Sequence, residues 1–162
     1  MMARVKKVML SDVPTLKKEA KIEQAAKLLV KSKCGCIVIV ENDAPVGMIT
    51  ELDFVRNIVS NAAGMKEPVS RIMSFPVTTM TPEMKLDEAL KIIDTKRFRK
   101  YPVVENGRLT GLVTKKDVVQ AISDNLRMHR NIQNTVLIVF VLFELFIFLL
   151  YRSIYQYIHF GA

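Results

Sequence analysis

Threonine and aspartate stand three positions apart at two equivalent places in the chain, Thr50-Glu51-Leu52-Asp53 and Thr114-Lys115-Lys116-Asp117. Each pair follows an apolar run, Gly47-Met48-Ile49 and Gly111-Leu112-Val113, so each marks the passage from a strand into a helix. Two kinds of chemistry fit such a place. In one, the threonine caps the helix and the aspartate completes a capping-box-like pair, a local device whose cap contributes about 1 kcal/mol. In the other, the free N–H groups and partial positive charge of the helix start receive a phosphate. The hydroxyl then donates to a phosphate or ribose oxygen, and the ionised carboxylate, which only accepts, takes the two hydroxyls of a ribose. The two readings are compatible. Catalysis is not expected: the two histidines, His129 and His159, lie outside the region that carries these pairs. No Ser-His-Asp or Cys-His set can be assembled within it, and no Walker-type loop or dinucleotide glycine fingerprint occurs.

The two pairs belong to a longer repetition with an offset of 64 residues. Glu41, Asn42, Gly47, Thr50, Asp53 and Val55 return as Glu105, Asn106, Gly111, Thr114, Asp117 and Val119, and 16 of the 56 positions between 5–60 and 69–124 are identical. A unit used twice, too few times for a solenoid, is expected to close into a pair with pseudo-two-fold symmetry. The fold class is α/β of the α+β type, each unit reading β-α-β-β-α. An extended piece (Val13–Thr15, Val77–Thr79) precedes a helix with apolar spacing at Ile22, Ala25, Ala26 and Leu29, matched by Leu86, Ala89, Leu90 and Ile93. Pro82 is expected near the start of the second of these helices. Strands are expected at Cys36–Val40 and Val46–Thr50, and again at Tyr101–Val104 and Leu109–Thr114, with turns at Glu41–Pro45 and Glu105–Arg108. Closing helices are expected at Glu51–Ser60 and Lys115–Asp124. The domains are therefore 5–60, a linker at 61–68 containing Gly64 and Pro68, 69–125, and a hydrophobic helix at 131–158.

This order and these motifs resemble a tandem pair of cystathionine-β-synthase (CBS) domains, a Bateman module. The resemblance rests on Ala25–Leu29, Ile37–Val40 and the run from Gly47 to Asp53 in one copy, and on the runs Tyr101–Gly107 and Gly111–Asp117 in the other. It implies a regulatory ligand of the adenosine type, AMP, ADP, ATP or S-adenosylmethionine, and no catalytic cofactor. It also implies pairing of modules into a homodimer, and ribose binding by Asp53 and Asp117 with Thr50 and Thr114 at ribose or phosphate. The base would lie against Thr15 with Gly35, Cys36 and Ile37 in site one, and against Thr79 with Arg99, Lys100, Tyr101 and Pro102 in site two. The run Lys96-Arg97-Phe98-Arg99-Lys100 carries four cations in five residues and favours polyphosphate. Site two is therefore expected to bind a nucleotide more tightly, and site one to be degenerate or to take a less charged ligand.

The chain of 162 residues has a net charge of +8, carried by the repeat region, since residues 131–162 hold only Glu144 and Arg152. Such a surface suits anionic partners or plain solvation. Nucleic acid is not expected, because no aromatic-plus-basic motif or zinc-finger spacing is present. Cys34 and Cys36 can build neither a disulfide framework nor a four-ligand metal site and are read as core thiols, a redox pair being the alternative. No metal site and no secretory signal are expected.

Val136–Tyr151 is apolar but for Glu144. Fourteen of its 16 residues are Val, Leu, Ile or Phe, which favours insertion by about 4–8 kcal/mol against a cost of about 2.5–3.5 for the acid. The expectation is a single-pass membrane anchor flanked by Arg127 and Arg130, with Tyr151, Tyr155 and Tyr157 at the far interface and the repeats in the cytoplasm. It would contact lipid and a membrane-protein partner to which the ligand signal is relayed. The alternatives are a cytoplasmic oligomer with these helices bundled at its centre, a scaffold that binds no ligand, and a nucleic-acid-associated sensor.

Overall fold

The computed structural model describes residues 3–32, 34–96 and 98–160. In chain order the elements are β1 (Thr15–Leu16), α1 (Ile22–Lys31), β2 (Cys36–Glu41), β3 (Ala44–Thr50), α2 (Glu51–Ser60), α3 (Leu86–Thr95), β4 (Lys100–Glu105), β5 (Arg108–Thr114) and α4 (Lys115–Phe160). Short 3₁₀ turns at Val5–Lys7 and Val69–Arg71 repeat at the same 64-residue offset. Residues 1–122 form one compact unit and 123–162 a second.

The first unit contains both repeats. β1 runs parallel to β2, which pairs antiparallel with β3. β4 and β5 form the matching hairpin, and Met80 bridges Val103 in parallel where Leu16 pairs Ile39 in the first copy. Both hairpins turn through two residues with positive φ, Asn42 (51°) and Asp43 (65°) in one, Asn106 (51°) and Gly107 (79°) in the other. That geometry matches the strand twist and suits Asn, Asp and Gly.

β2 and β4 are apolar from Cys36 to Val40 and from Tyr101 to Val104 because both faces of their central residues are buried. Ile37 and Ile39 join Ile22, Ala25, Ile49 and Val69 beneath the first pair of helices. Cys36 and Val38 point the other way, into a cluster with Met48 and Leu112 that joins the two repeats. In the second copy Tyr101 and Val103 pack with Val5, Met80, Leu86, Ala89, Ile93, Val113 and Val118.

The leading segment of each repeat crosses to the other repeat. Leu10 exchanges backbone hydrogen bonds of 2.8 Å in both directions with Leu112 on β5. Ser74, its counterpart, does the same with Met48 on β3 at 2.8 and 3.0 Å. Glycine permits this close approach, and both glycines face the equivalent methionine, Met73 for Gly47 and Met9 for Gly111, but only Gly111 has backbone among its nearest neighbours. A Cβ on Gly111 would lie 2.9 Å from the Leu10 carbonyl, which is fixed backbone, while one on Gly47 would meet the movable Met73 sulfur at 2.5 Å. Gly111→Ala is therefore expected to cost about 1–3 kcal/mol and Gly47→Ala less, read as a larger drop in the urea midpoint for Gly111→Ala. Equal drops would mean that the Leu10 segment yields as easily as a methionine side chain.

The structure departs from the sequence expectations in three places. Pro82 lies outside α3, in the turn where Met84 N–H donates to the Thr81 carbonyl, and α3 starts at Leu86. The extended pieces pair one residue later than expected, at Thr15–Leu16 and Met80. The last helix does not stop near Asp124 but runs on to Phe160, 46 residues in all, because no glycine or proline interrupts it. Within it Arg130–Arg152, 23 residues with a mean hydropathy of 2.4 over the most apolar window, is long and apolar enough to cross a membrane by length and composition. The side chains of Tyr155, Tyr157 and Ile158 lie outside the described residues.

Candidate ligand-binding cleft

β3 ends and α2 begins at Thr50, whose extended backbone (φ −121°, ψ 170°) turns the chain into the helix. Its backbone N–H and its hydroxyl both donate to Asp53 Oδ2, each at 2.7 Å. Asp53 is 6% exposed, yet its second oxygen is also engaged: the Ser74 hydroxyl donates to Oδ1 at 3.0 Å. The Arg56 guanidinium stands 3.8 Å from the same oxygen. Ser74 can reach Asp53 only because its segment is bonded along β3, so the crossing of the leading segments builds this contact.

Around Asp53 opens a cleft of about 640 Å³, lined on the first-repeat side by Met48, Thr50, Glu51, Leu52, Asp53 and Arg56. The second repeat contributes Ser74, Pro76, Val77 and Thr78, together with Phe98, Arg99 and Lys100. The volume falls within the range of small-molecule sites. Several bonds hold the Phe98–Lys100 loop. The Tyr101 hydroxyl donates to the Phe98 carbonyl at 3.0 Å, and Lys115 N–H donates to the Arg99 carbonyl at 2.9 Å. Lys100 Nζ reaches back to the Gly35 carbonyl at 2.6 Å. Gly35 itself has φ +58°, and a Cβ there would stand 3.1 Å from both Lys100 Nζ and Glu51 Oε1. A side chain there would crowd Lys100 and Glu51, which line the cleft.

The second Thr-Asp pair has the same local geometry. Thr114 N–H and its hydroxyl donate to Asp117 Oδ2 at 3.0 and 2.7 Å, and Asp117 N–H donates to the Thr114 hydroxyl at 3.2 Å. Its surroundings differ. The counterpart of Ser74 is Leu10, which has no hydroxyl to give, and the counterparts of Arg99 and Lys100 are Gly35 and Cys36.

The residues assigned to two sites by copy are thus grouped across the copies. Thr50 and Asp53 share a cleft with Arg99 and Lys100, not with Thr15. Thr15 is exposed and lines a separate hollow of about 290 Å³ with Asp43, Arg108 and Thr110. Thr79 is exposed, and its neighbour Thr78 lines the cleft instead. Cys36, Ile37, Tyr101 and Pro102 are buried in their strands. Lys33 and Arg97 lie outside the described residues. Sequence reasoning missed Ser74, Arg56 and Phe98. The one signal for Ser74 was a departure from the repeat, a hydroxyl where the other copy has leucine.

Burial pushes the Cys36 thiol up to about 12, with the neighbouring Cys34 adding to the shift. A thiol held so far above neutrality supplies no nucleophile, and its S–H donates to the Cys34 sulfur at 3.8 Å. Burial also raises the Tyr101 phenol, so it remains the hydrogen-bond donor that fixes Phe98. Among the described residues no group of three or more His, Cys, Asp or Glu side chains is placed to hold a metal ion.

Known proteins share this fold. The CBS domain matches twice, at residues 5–60 and 69–124. An uncharacterised protein of Methanopyrus kandleri is 38% identical over 104 residues, 63% of this chain and 53% of its own length, so the chain spans about half of that relative. The CBS domain-containing protein YhcV of Bacillus subtilis is 29% identical over 72% of this chain and 84% of its own. Among solved structures, the CBS domain pair of protein MJ0100, in complex with 5′-methylthioadenosine and S-adenosyl-L-methionine, superposes with a TM-score of 0.68 at 24% identity, covering 77% of this chain and 99% of that one. With both matched segments following the 64-residue repetition and together covering most of its length, the chain belongs to the CBS-domain family as a tandem pair.

Proposed function

We propose that the pair is a ligand-sensing module whose Asp53 cleft binds an adenosine nucleotide through its phosphates and ribose. The observation that carries this is a nearly buried carboxylate at a helix N-terminus, in a cleft that two cations of the other repeat also line. Asp53 takes the ribose hydroxyls, using the lone pairs left on Oδ1 and displacing Ser74 where needed. Arg99 and Lys100 take phosphate oxygens, with the N-terminal N–H groups of α2 behind them. A ligand held this way would tie the first repeat to the second, which is how a binding event could alter their packing. The occupancy of the MJ0100 pair by two adenosine compounds, neither of which carries a phosphate, supports the adenosine part of this reading, while the phosphate part rests on Arg99 and Lys100.

Arg130–Arg152 serves, in this reading, as a membrane anchor that keeps the module at the cytoplasmic face, as a homodimer beside a membrane-protein partner. The alternative is a scaffold in which the Thr-Asp pairs only cap helices; both capping arrangements are complete without a ligand, which favours it.

The phosphate assignment separates the readings. The double substitution Arg99→Ala, Lys100→Ala should weaken ATP binding by about a hundredfold, at roughly 1.5 kcal/mol or more for each charge-assisted contact, while adenosine affinity changes far less. Competition against a fluorescent nucleotide would measure both. Equal losses for ATP and adenosine would remove the phosphates from this loop.

A further inference from the structure

Glu144 stands alone in the apolar segment. On α4 its neighbours one turn away are Phe140, Val141, Ile147 and Phe148, none with a polar group. The nearest charged residue on the helix, Arg152, is eight positions on and about 12 Å along the axis. No side chain of its own helix can therefore satisfy the carboxyl, and hydrocarbon offers no partner. Resting on the anchor reading given above, we propose that Glu144 pairs the membrane segments of two copies of this chain, the two carboxyls facing each other across a two-fold axis.

A neutral carboxyl carries one donor and one acceptor. Two of them opposed satisfy each other: each O–H donates to the carbonyl oxygen of the other. A two-fold contact sets a residue against itself, and copies inserted in the same direction carry Glu144 at the same depth. A different helix would have to bring its own polar group to that depth, at a cost like that of Glu144 itself. A 4-3-4-3 stripe through Glu144 would bring Leu137, Val141, Phe148 and Tyr151 into a parallel seam. Val136–Tyr151 contains no glycine, alanine or serine, so close backbone approach through small residues is not available, and the polar contact is left to specify the pair.

The test uses the full chain, labelled with donor or acceptor dye and reconstituted in phosphatidylcholine vesicles. Flotation comes first, then energy transfer is followed as lipid dilutes the protein. Glu144→Leu should need about tenfold more protein per lipid to reach half-association. Glu144→Gln, whose amide also donates and accepts, should stay close to the wild type. A wild-type curve for Glu144→Leu, or a loss with Glu144→Gln equal to that with leucine, overturns the pairing while leaving the anchor intact. Failure of the wild type to float overturns the anchor reading, and the pairing with it.

Discussion

Asp53→Asn is expected to weaken nucleotide binding by about tenfold to a hundredfold, the range for losing hydrogen bonds to a charged acceptor. Asp117→Asn should leave affinity at the Asp53 cleft within about twofold, as for a distant site. Asparagine keeps the shape and can still accept from Thr50, so the comparison is made between folded proteins. Alanine would be less informative. Asp53 is nearly buried and accepts from Thr50 N–H, the Thr50 hydroxyl and the Ser74 hydroxyl, and removing it would strand those donors. Titration with ATP and each variant reads the difference. A large loss with Asp117→Asn and none with Asp53→Asn would place the nucleotide at the other Thr-Asp pair, where Gly35 and Cys36 stand at the positions equivalent to Arg99 and Lys100.

Tyr101→Ala should destabilise the fold by about 3–5 kcal/mol, a large part of the margin of an ordinary domain. Tyr101 is fully buried at the centre of the second repeat's core, against Val103, Ile93, Val113 and Val118. Tyr101→Phe keeps the ring and gives up only the bond to the Phe98 carbonyl, at about 1 kcal/mol. Its effect should be greater on ATP affinity than on stability, because the freed segment is the one that presents Arg99 and Lys100 to the cleft. Urea unfolding of the two variants, followed by ATP titration of Tyr101→Phe, checks both parts. A Tyr101→Ala protein with a wild-type midpoint would contradict the core described here.

The elements were largely legible because each rests on local pattern. α2 spans Glu51–Ser60, as the Thr50 cap and apolar spacing require, and both hairpins turn at their Asn-Asp and Asn-Gly steps. The Thr-Asp pairs were legible for the same reason. The partners of Asp53 were not. Whether the segment around Ser74 lies along β3 or along β5 is decided by how two similar sheets pack, and either choice leaves the same local signals in the sequence. Arg99 and Lys100 therefore read as belonging to Asp117, which shares their repeat, although the crossing brings them to Asp53. The continuity of α4 was missed for a different reason. The second repeat was read as ending at 125 and the hydrophobic helix as starting at 131, but the mostly polar residues between them do not end a helix when glycine, proline and a cap are all missing.

The measurement that tests the central claim most directly is calorimetric titration of the full chain with AMP, ADP, ATP and S-adenosylmethionine. Saturable heat is predicted, with ATP binding more tightly than AMP because Arg99 and Lys100 gain phosphate oxygens to hold. A folded protein that gives no heat with any of the four would contradict the account, leaving the Thr-Asp pairs as helix caps and the module as a scaffold.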